Sequence, residues 1–436
     1  MKVKVEHTDS GENIFGGINV FIHEMTKLGI DKLIDSHLGK RVKQAKYSTG
    51  EIIMYWIYGM LCGANKFDKI TKIHKNFQNI PYLKDKIPSR DTIRRMMQKL
   101  AIPNSVKENL TNDEVSEVND NVKLNTLLHK IQKKLNIFNS KKKHTLDVDT
   151  IVIPTNAYDS KFSFKKKIRG YHPCVSIIDG KAVYMEMRNG NVSPKYKLLE
   201  HIDNTLTHIK QTGLGKIDKL RMDNAGYNNE VFKYLNQKNI KFYVRARKSR
   251  DLIDMVRINS MGKWRETEIE TTDKVTPIIV SSINYRLLRY SDQEEQYRVV
   301  TCRFQDDEID NFVGRMIITN DFESTEEEII HFYNQRGKQE RVFDDLRNNY
   351  GWKYPPFSDM SQNTVFFIVS MICQTVYKYV LGVVTSKTET DKVNENTWLD
   401  DFRYWFILVG SVWIITDEIC KIVFRDSYFN YKVFFD

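Results

Sequence analysis

The sequence predicts an α/β protein: a helical region, then a strand-rich stretch interrupted by single helices, then helices again. Three observations carry this. Before residue 110 apolar residues recur every three or four positions, from His144 the pattern changes to a β-branched alternation, and at Thr325 the helical spacing returns.

With 436 residues, 41% of them hydrophobic, the chain has the length of about two or three domains and enough apolar material for true cores. Collagen-like, wholly disordered and disulfide-stapled classes are excluded. Cys62, Cys174, Cys302, Cys373 and Cys420 lie far apart with no Cys-x-x-Cys pair, which reads as reduced thiols in the cytoplasm. The opening MKVKVEHTDSGENIFGG lacks the apolar core of a signal peptide. The two most apolar runs, from Val365 and from Tyr404, are each about 13 residues against the roughly 20 that cross a bilayer. They are expected as buried helices, with no membrane partner.

In GEIIMYWIYGMLCGANKFDKI, Ile53, Trp56, Ile57, Met60 and Leu61 form one apolar stripe. In IPSRDTIRRMMQKL, Ser89 is placed to cap a helix whose stripe is Ile93, Met96, Met97 and Leu100, while Arg90, Arg94, Arg95 and Lys99 project from its other faces. Residues 1–110 hold 19 basic and 11 acidic side chains out of a whole-chain net charge of +11, so most of the excess positive charge sits here. This region resembles a helix-turn-helix DNA-binding module with the Ser89–Leu100 helix as reader; a solvated basic face on an ordinary bundle helix is the plainer alternative. The acidic, polar TNDEVSEVNDN from Thr111 marks a boundary, and residues 111–140 are expected as a linker.

HTLDVDTIVI, HPCVSIID and KAVYMEMR read as strands, the last two joined by an Asp179-Gly180 hairpin turn. SPKYKLLEHIDNTLTHIKQ reads as a helix capped by Ser193 with Pro194 at its first position. A strand from Ile217, a helix from Asn228 and a strand from Ile240 follow. The resulting β-β-β-α-β-α-β order is that of the ribonuclease H-like fold, expected over residues 141–385. Short strands between Thr271 and Asn320 read as a β subdomain inserted at about 250–320. From Thr325 to Gly351 a single helix is expected, with acidic residues in its first turn. Ser361–Val384 and Thr397–Ile415 read as later helices, and residues 386–436 as a C-terminal helical segment.

Acidic residues stand where such a fold places its chemistry: Asp149 on the first strand, Asp223 at the end of the fourth, Glu340 on the helix after the insertion. Paired carboxylates suit the divalent cations used in phosphodiester chemistry, which sit about 4 Å apart. Asp147 shares a strand face with Asp149, so either is eligible. Tyr333, Arg336, Glu340 and Arg347 are spaced to share one helical face, which suits a metal ligand flanked by phosphate clamps. Lys165, Lys166 and Lys167, and Arg245 and Arg247, flank the strands and are candidates for phosphate contact. Trp264, Tyr285 and Tyr290 are candidates for stacking on an unpaired base.

The segment YNQRGKQERVFDDLR resembles the Tyr-x2-Arg-x3-Glu-x6-Lys signature of bacterial insertion-sequence DDE transposases, the group that excises its element through DNA hairpins. LDVDT, RMDNAGY and Gly351-Trp352 are similar to one branch of that group, and the likeness runs from about residue 15 to 385. The resemblance implies a metal-binding triad of Asp149, Asp223 and Glu340, with Asp149 preferred over Asp147 by its Asp-Thr pair. It implies phosphate contacts at the transposon end from Tyr333, Arg336 and Arg347, although Arg347 stands where the pattern has Lys and offers a planar fork instead of a point charge. It also implies Mg²⁺ (Mn²⁺ as substitute), terminal inverted repeats and target DNA as partners, a homodimer in the synaptic complex with residues 386–436 as candidate interface, and a nucleoid-associated place in the bacterial cytoplasm. Two rivals stay open: a ribonuclease H-fold nuclease or resolvase without strand transfer, and a non-catalytic DNA-binding derivative.

Overall fold

The computed structural model describes residues 12–108, 115–164, 166–270, 275–286, 295–304, 314–417, 420–425 and 427–435. It opens with five helices: α1 (Ile18–Lys27), α2 (Ile30–Leu38), α3 (Thr49–Leu61), α4 (Phe67–Gln78) and α5 (Arg90–Leu100). Ser48 and Glu51 close a reciprocal capping box on α3, and Ser89 caps α5 by accepting from the Thr92 amide, as its sequence foretells. Residues 79–89 separate α4 from α5, a longer connection than the turn of about 3–4 residues in a helix-turn-helix. Arg90, Arg94 and Arg95 are exposed on α5.

The segment expected as a linker is structured. After β1 (Ser105–Glu108) it forms β2 (Val115–Asn119) and α6 (Val122–Lys134), whose Leu124, Leu127, Leu128 and Ile131 are fully buried. The acidic stretch hid this amphipathic helix. Next come β3 (Lys143–Thr150), the short β4 (Ile153–Pro154), β5 (Lys161–Ser163) and β6 (Ile168–Tyr171), then β7 (Cys174–Ile178) and β8 (Lys181–Arg188). Both residues of the β7–β8 turn, Asp179 and Gly180, have positive φ, 47° and 76°, as a two-residue hairpin demands. Helix α7 (Leu198–Thr212) starts later than expected, because Ser193 and Pro194 build a turn that ends on Lys197 at φ 46°. β9 (Lys216–Met222), α8 (Asn229–Gln237), β10 (Lys241–Arg245) and α9 (Arg250–Asn259) follow.

The strands of the insertion, β11 (Arg265–Glu270), β12 (Val275–Tyr285), β13 (Tyr297–Phe304) and β14 (Arg315–Thr319), do not form a separate sheet. They extend one sheet of order β1-β2-β8-β7-β3-β9-β10-β14-β13-β12-β11. Its centre, β8-β7-β3-β9-β10, has β7 antiparallel to both β3 and β8, with β9 and β10 parallel to β3. This large mixed sheet with helices on its faces fits a ribonuclease H-like fold.

Helix α10 (Glu326–Asn334) and helix α11 (Lys338–Asn349) are separated by a 3-10 turn at Gln335–Gly337, where one helix was expected. α12 (Met360–Lys387) is long and apolar enough to cross a bilayer, but it is the buried centre of the helical layer, packed on α3, α5, α6 and β8. One core joins α1–α6, α12 and one face of β7 and β8, so helices α1–α5 share their core with the rest of the described chain. Thr397–Ile415 is not a helix. Only α13 (Leu399–Phe402) and a π-helical turn at Arg403–Ile407 are helical, before β15 (Ser411–Ile415) pairs with β16 (Cys420–Phe424). A continuous apolar run suits a buried helix and a strand equally well, so its sequence could not decide.

Candidate active site

Strand alternation sets the site. On β3, Leu146 and Val148 point into the core beneath α7 and α8, which turns Asp147 and Asp149 to the opposite face. On β9, Leu220 and Met222 enter the same core, turning Arg221 to the face of the aspartates. The parallel register pairs Asp147 with Arg221 and Val148 with Met222. The next residue on each strand is Asp149 and Asp223, so register alone brings these carboxylates together. They line one small recess with Thr150, Ala225 and Gly226. Gly226 is required there, since a Cβ would come within 2.6 Å of the Met222 side chain. Asp223 Oδ1 accepts from the Ala225 amide at 2.8 Å, and Asp149 Oδ1 from the Thr150 amide at 2.8 Å.

The two β3 aspartates are in different circumstances. Asp147 is 3% exposed, and both of its oxygens are taken by Arg221 Nε and Nη2 at 2.7 Å each. Burial pushes its carboxyl up, against the pull of Arg221. Arg221 also donates to the Phe332 carbonyl at 2.7 Å, tying β9 to the end of α10. Asp147 is thus engaged as a structural counter-ion, whereas Asp149 lines the recess and its Oδ2 accepts from Arg336 Nη2 at 2.6 Å.

Tyr333 donates its hydroxyl to the Met222 carbonyl at 3.2 Å. Burial pushes its phenol up; Arg336 and Arg245 oppose the shift while Asp223 and Asp149 add to it, and the β9–β10 register, pairing Val244 with Met222, sets Arg245 beside Asp223. The structure therefore gathers Asp149, Asp223, Tyr333, Arg336 and Arg245. It does not gather Glu340, which is exposed in the first turn of α11. Among the described residues no three His, Cys, Asp or Glu form a metal-binding group. The 3-10 turn also interrupts the single helix expected to carry Tyr333, Arg336, Glu340 and Arg347; Arg347 is half-buried in the last turn of α11.

The remaining candidates lie elsewhere. Arg90 pairs with Asp68 at 2.7 Å, and with Arg94 and Lys66 it lines a cleft of about 330 Å³ against Tyr354. Arg95 Nε donates to the Asp91 carbonyl at 3.3 Å. Lys166, Lys167 and Arg247 are exposed; Lys165 lies outside the described residues. Of the stacking candidates, Tyr285 is buried, Trp264 is half-buried with the Arg303 guanidinium 5.3 Å above its ring, and Tyr290 lies outside the described residues. Arg221 was missed by sequence reasoning, and its only signal was a basic residue two positions before Asp223.

A mixed sheet of this order, with adjacent aspartates at the ends of its central parallel strands, fits the ribonuclease H-like fold. Residues 2–413 match the family described as transposase DDE domain group 1, and the chain belongs to that family. A search of curated proteins finds no match. Family membership supports a transposase function with DNA as substrate, and DDE domains typically use divalent metals.

Proposed function

We propose that the protein is the transposase of a bacterial insertion sequence. It binds terminal inverted repeats, cleaves DNA at the element ends through hairpin intermediates and joins the freed 3′ ends to target DNA. The observation that supports this best is the parallel β3–β9 register, which sets Asp149 beside Asp223 in one recess, with Arg336 of the segment that carries Glu340 donating to Asp149.

The two aspartates fit divalent metal, being adjacent hard oxygen donors lining one recess. Asp149 and Asp223 would hold it, with Glu340 as the third carboxylate; Mg²⁺, or Mn²⁺ in its place, would acidify the attacking water or 3′-hydroxyl and stabilise the leaving oxygen. The chain's own groups do the positioning. Arg336 and Arg245 bring guanidinium donors to the phosphate, Tyr333 backs the recess, and Arg347 reaches phosphate further along the helix. Lys165, Lys166, Lys167 and Arg247 supply sequence-independent affinity along the duplex, and Arg90, Arg94 and Arg95 hold the repeat. The exposed Tyr404, Leu408, Ile415 and Tyr428 of the C-terminal segment suit a homodimer contact in the synaptic complex. The setting is the bacterial nucleoid.

The test incubates the protein with Mg²⁺ and linear DNA carrying the element's own ends, comparing wild type with Asp223→Asn and Glu340→Gln. Loss of cleavage in both variants is expected; unchanged cleavage in either overturns the triad. Cleavage without hairpins or joined products returns the simple nuclease instead. Arg94→Ala and Arg95→Ala should each weaken repeat binding and lower its salt slope by about 1.

A further inference from the structure

Of the described aromatics of the insertion, Tyr285 and Tyr297 are buried and Trp264 half-buried, but a second aromatic group stands exposed on the segment between β3 and β7. Between β3 and β7 the chain leaves the main sheet to form a ribbon in which β6 pairs with both β4 and β5. Alternation along β5 buries Ser163 and turns Phe162 and Phe164 outward, 44% and 69% exposed. Their rings meet edge to face, with centroids 5.5 Å apart. Arg169 lies opposite Phe162 in the register and so shares its face. Lys161, Lys166, Lys167 and Arg169 are all exposed around the pair. Two large exposed phenyl rings ringed by cations oppose ordinary surface economy, and this combination is the one that single-stranded nucleic acid selects: bases stack on rings and phosphates meet cations.

The ribbon is also close to the reacting carboxylate. Cys174 pairs with Thr150, the neighbour of Asp149. From Ile168, at the outer end of β6, to Cys174 the chain can extend at most roughly 20 Å, about six base-pair steps along a duplex.

Resting on the DNA reading above, we propose that the β5–β6 ribbon is a base-stacking element: Phe162 and Phe164 seat against unpaired bases within about six steps of the cut, while Lys161, Lys166, Lys167 and Arg169 meet the adjoining phosphates. Hairpin formation at a DNA end requires bases to leave the stack, and the ribbon supplies them a surface.

The test measures fluorescence anisotropy of the full chain on two labelled duplexes of the same sequence, one fully paired and one with a central unpaired bubble. Wild type should bind the bubble about tenfold more tightly. Phe162→Ala/Phe164→Ala should lose that preference and keep its affinity for paired DNA, and Phe162→Trp/Phe164→Trp should retain the preference. Because both rings are exposed, unchanged thermal unfolding of the alanine variant is expected. No preference in wild type, or a preference that survives the alanine pair, overturns the stacking role alone. Failure to bind either duplex overturns it together with the DNA reading beneath it. A self-association of the DNA-free protein that the alanine pair abolishes, seen by sedimentation, assigns the face to a protein contact and overturns the proposal.

Discussion

Replacing Arg221 by methionine separates the structural aspartate from the reactive one. Asp147 and Arg221 are cross-strand partners in the β3–β9 register, joined by two 2.7 Å bonds with side chains only 4% and 9% exposed. Arg221→Met leaves the Asp147 carboxylate buried without its counter-ion, which costs about 3–5 kcal/mol. It also strips the Phe332 carbonyl of its donor, for about 1 kcal/mol more. Adding Asp147→Leu removes the orphaned charge, so the double variant should recover most of the loss, since apolar pairs replace buried ion pairs at little cost. Asp149→Asn removes a carboxylate that is 18% exposed, so stability should change by about 1 kcal/mol or less while cleavage is lost. Urea melts followed by circular dichroism and by tryptophan fluorescence measure each free energy. An Arg221→Met variant within about 1 kcal/mol of wild type, or a double variant as unstable as the single, refutes the assignment of Asp147 to structure.

Arg336→Ala should remove the guanidinium donor from Asp149 Oδ2 and raise Mn²⁺ affinity several-fold in titration calorimetry, with little change in stability; unchanged or weaker binding means that the guanidinium does not compete for that oxygen. Stability should fall on acidification from pH 7 to 5. Burial holds the His129 imidazole down to about 4 and the His201 imidazole well below its usual value, so between pH 6.5 and 4 the unfolded chain binds protons that the folded chain refuses. Relative to pH 7, His129 alone should cost about 2 kcal/mol at pH 5; His129→Gln should flatten the profile of melting temperature against pH, and a profile unchanged by it contradicts this source.

Features written locally were legible in the sequence. Period-two alternation in LDVDT set both aspartates on one face, and the Asp179-Gly180 pair fixed the β7–β8 hairpin. Features that depend on a distant partner were not. Which aspartate is engaged rests on Arg221, a neighbour only once β3 and β9 pair. Helix α6 kept its apolar spacing through Leu124, Leu127, Leu128 and Ile131, yet the acidic residues before it masked the pattern. In the C-terminal run the choice of strand over helix depends on β16, which Ser411–Ile415 meets edge to edge.

The 3-10 turn at Gln335–Gly337 shifts Glu340 around the helix axis relative to Tyr333 and Arg336. Each residue of a 3-10 helix turns about 120° and each α residue about 100°, so three such residues rotate everything beyond them by roughly 60° relative to a continuous helix. Tyr333 and Glu340 would stand about 20° apart in one α-helix; across this turn Glu340 is carried to about 40° on the other side of Tyr333. The turn is held by Arg336 on Asp149, and it contains Gly337, the weakest helix former in the segment. Gly337 has helical angles, φ −55° and ψ −22°, and a Cβ there would meet nothing within 4 Å. Gly337→Ala should therefore favour a continuous helix by about 1 kcal/mol without a clash. If that rotation completes the site, the variant binds Mn²⁺ more tightly and cleaves end DNA faster than wild type, and Glu340→Gln cancels both gains. Weaker Mn²⁺ binding by Gly337→Ala in a protein of undiminished stability would refute the rotation, because the helix would then have carried Glu340 away from the aspartates.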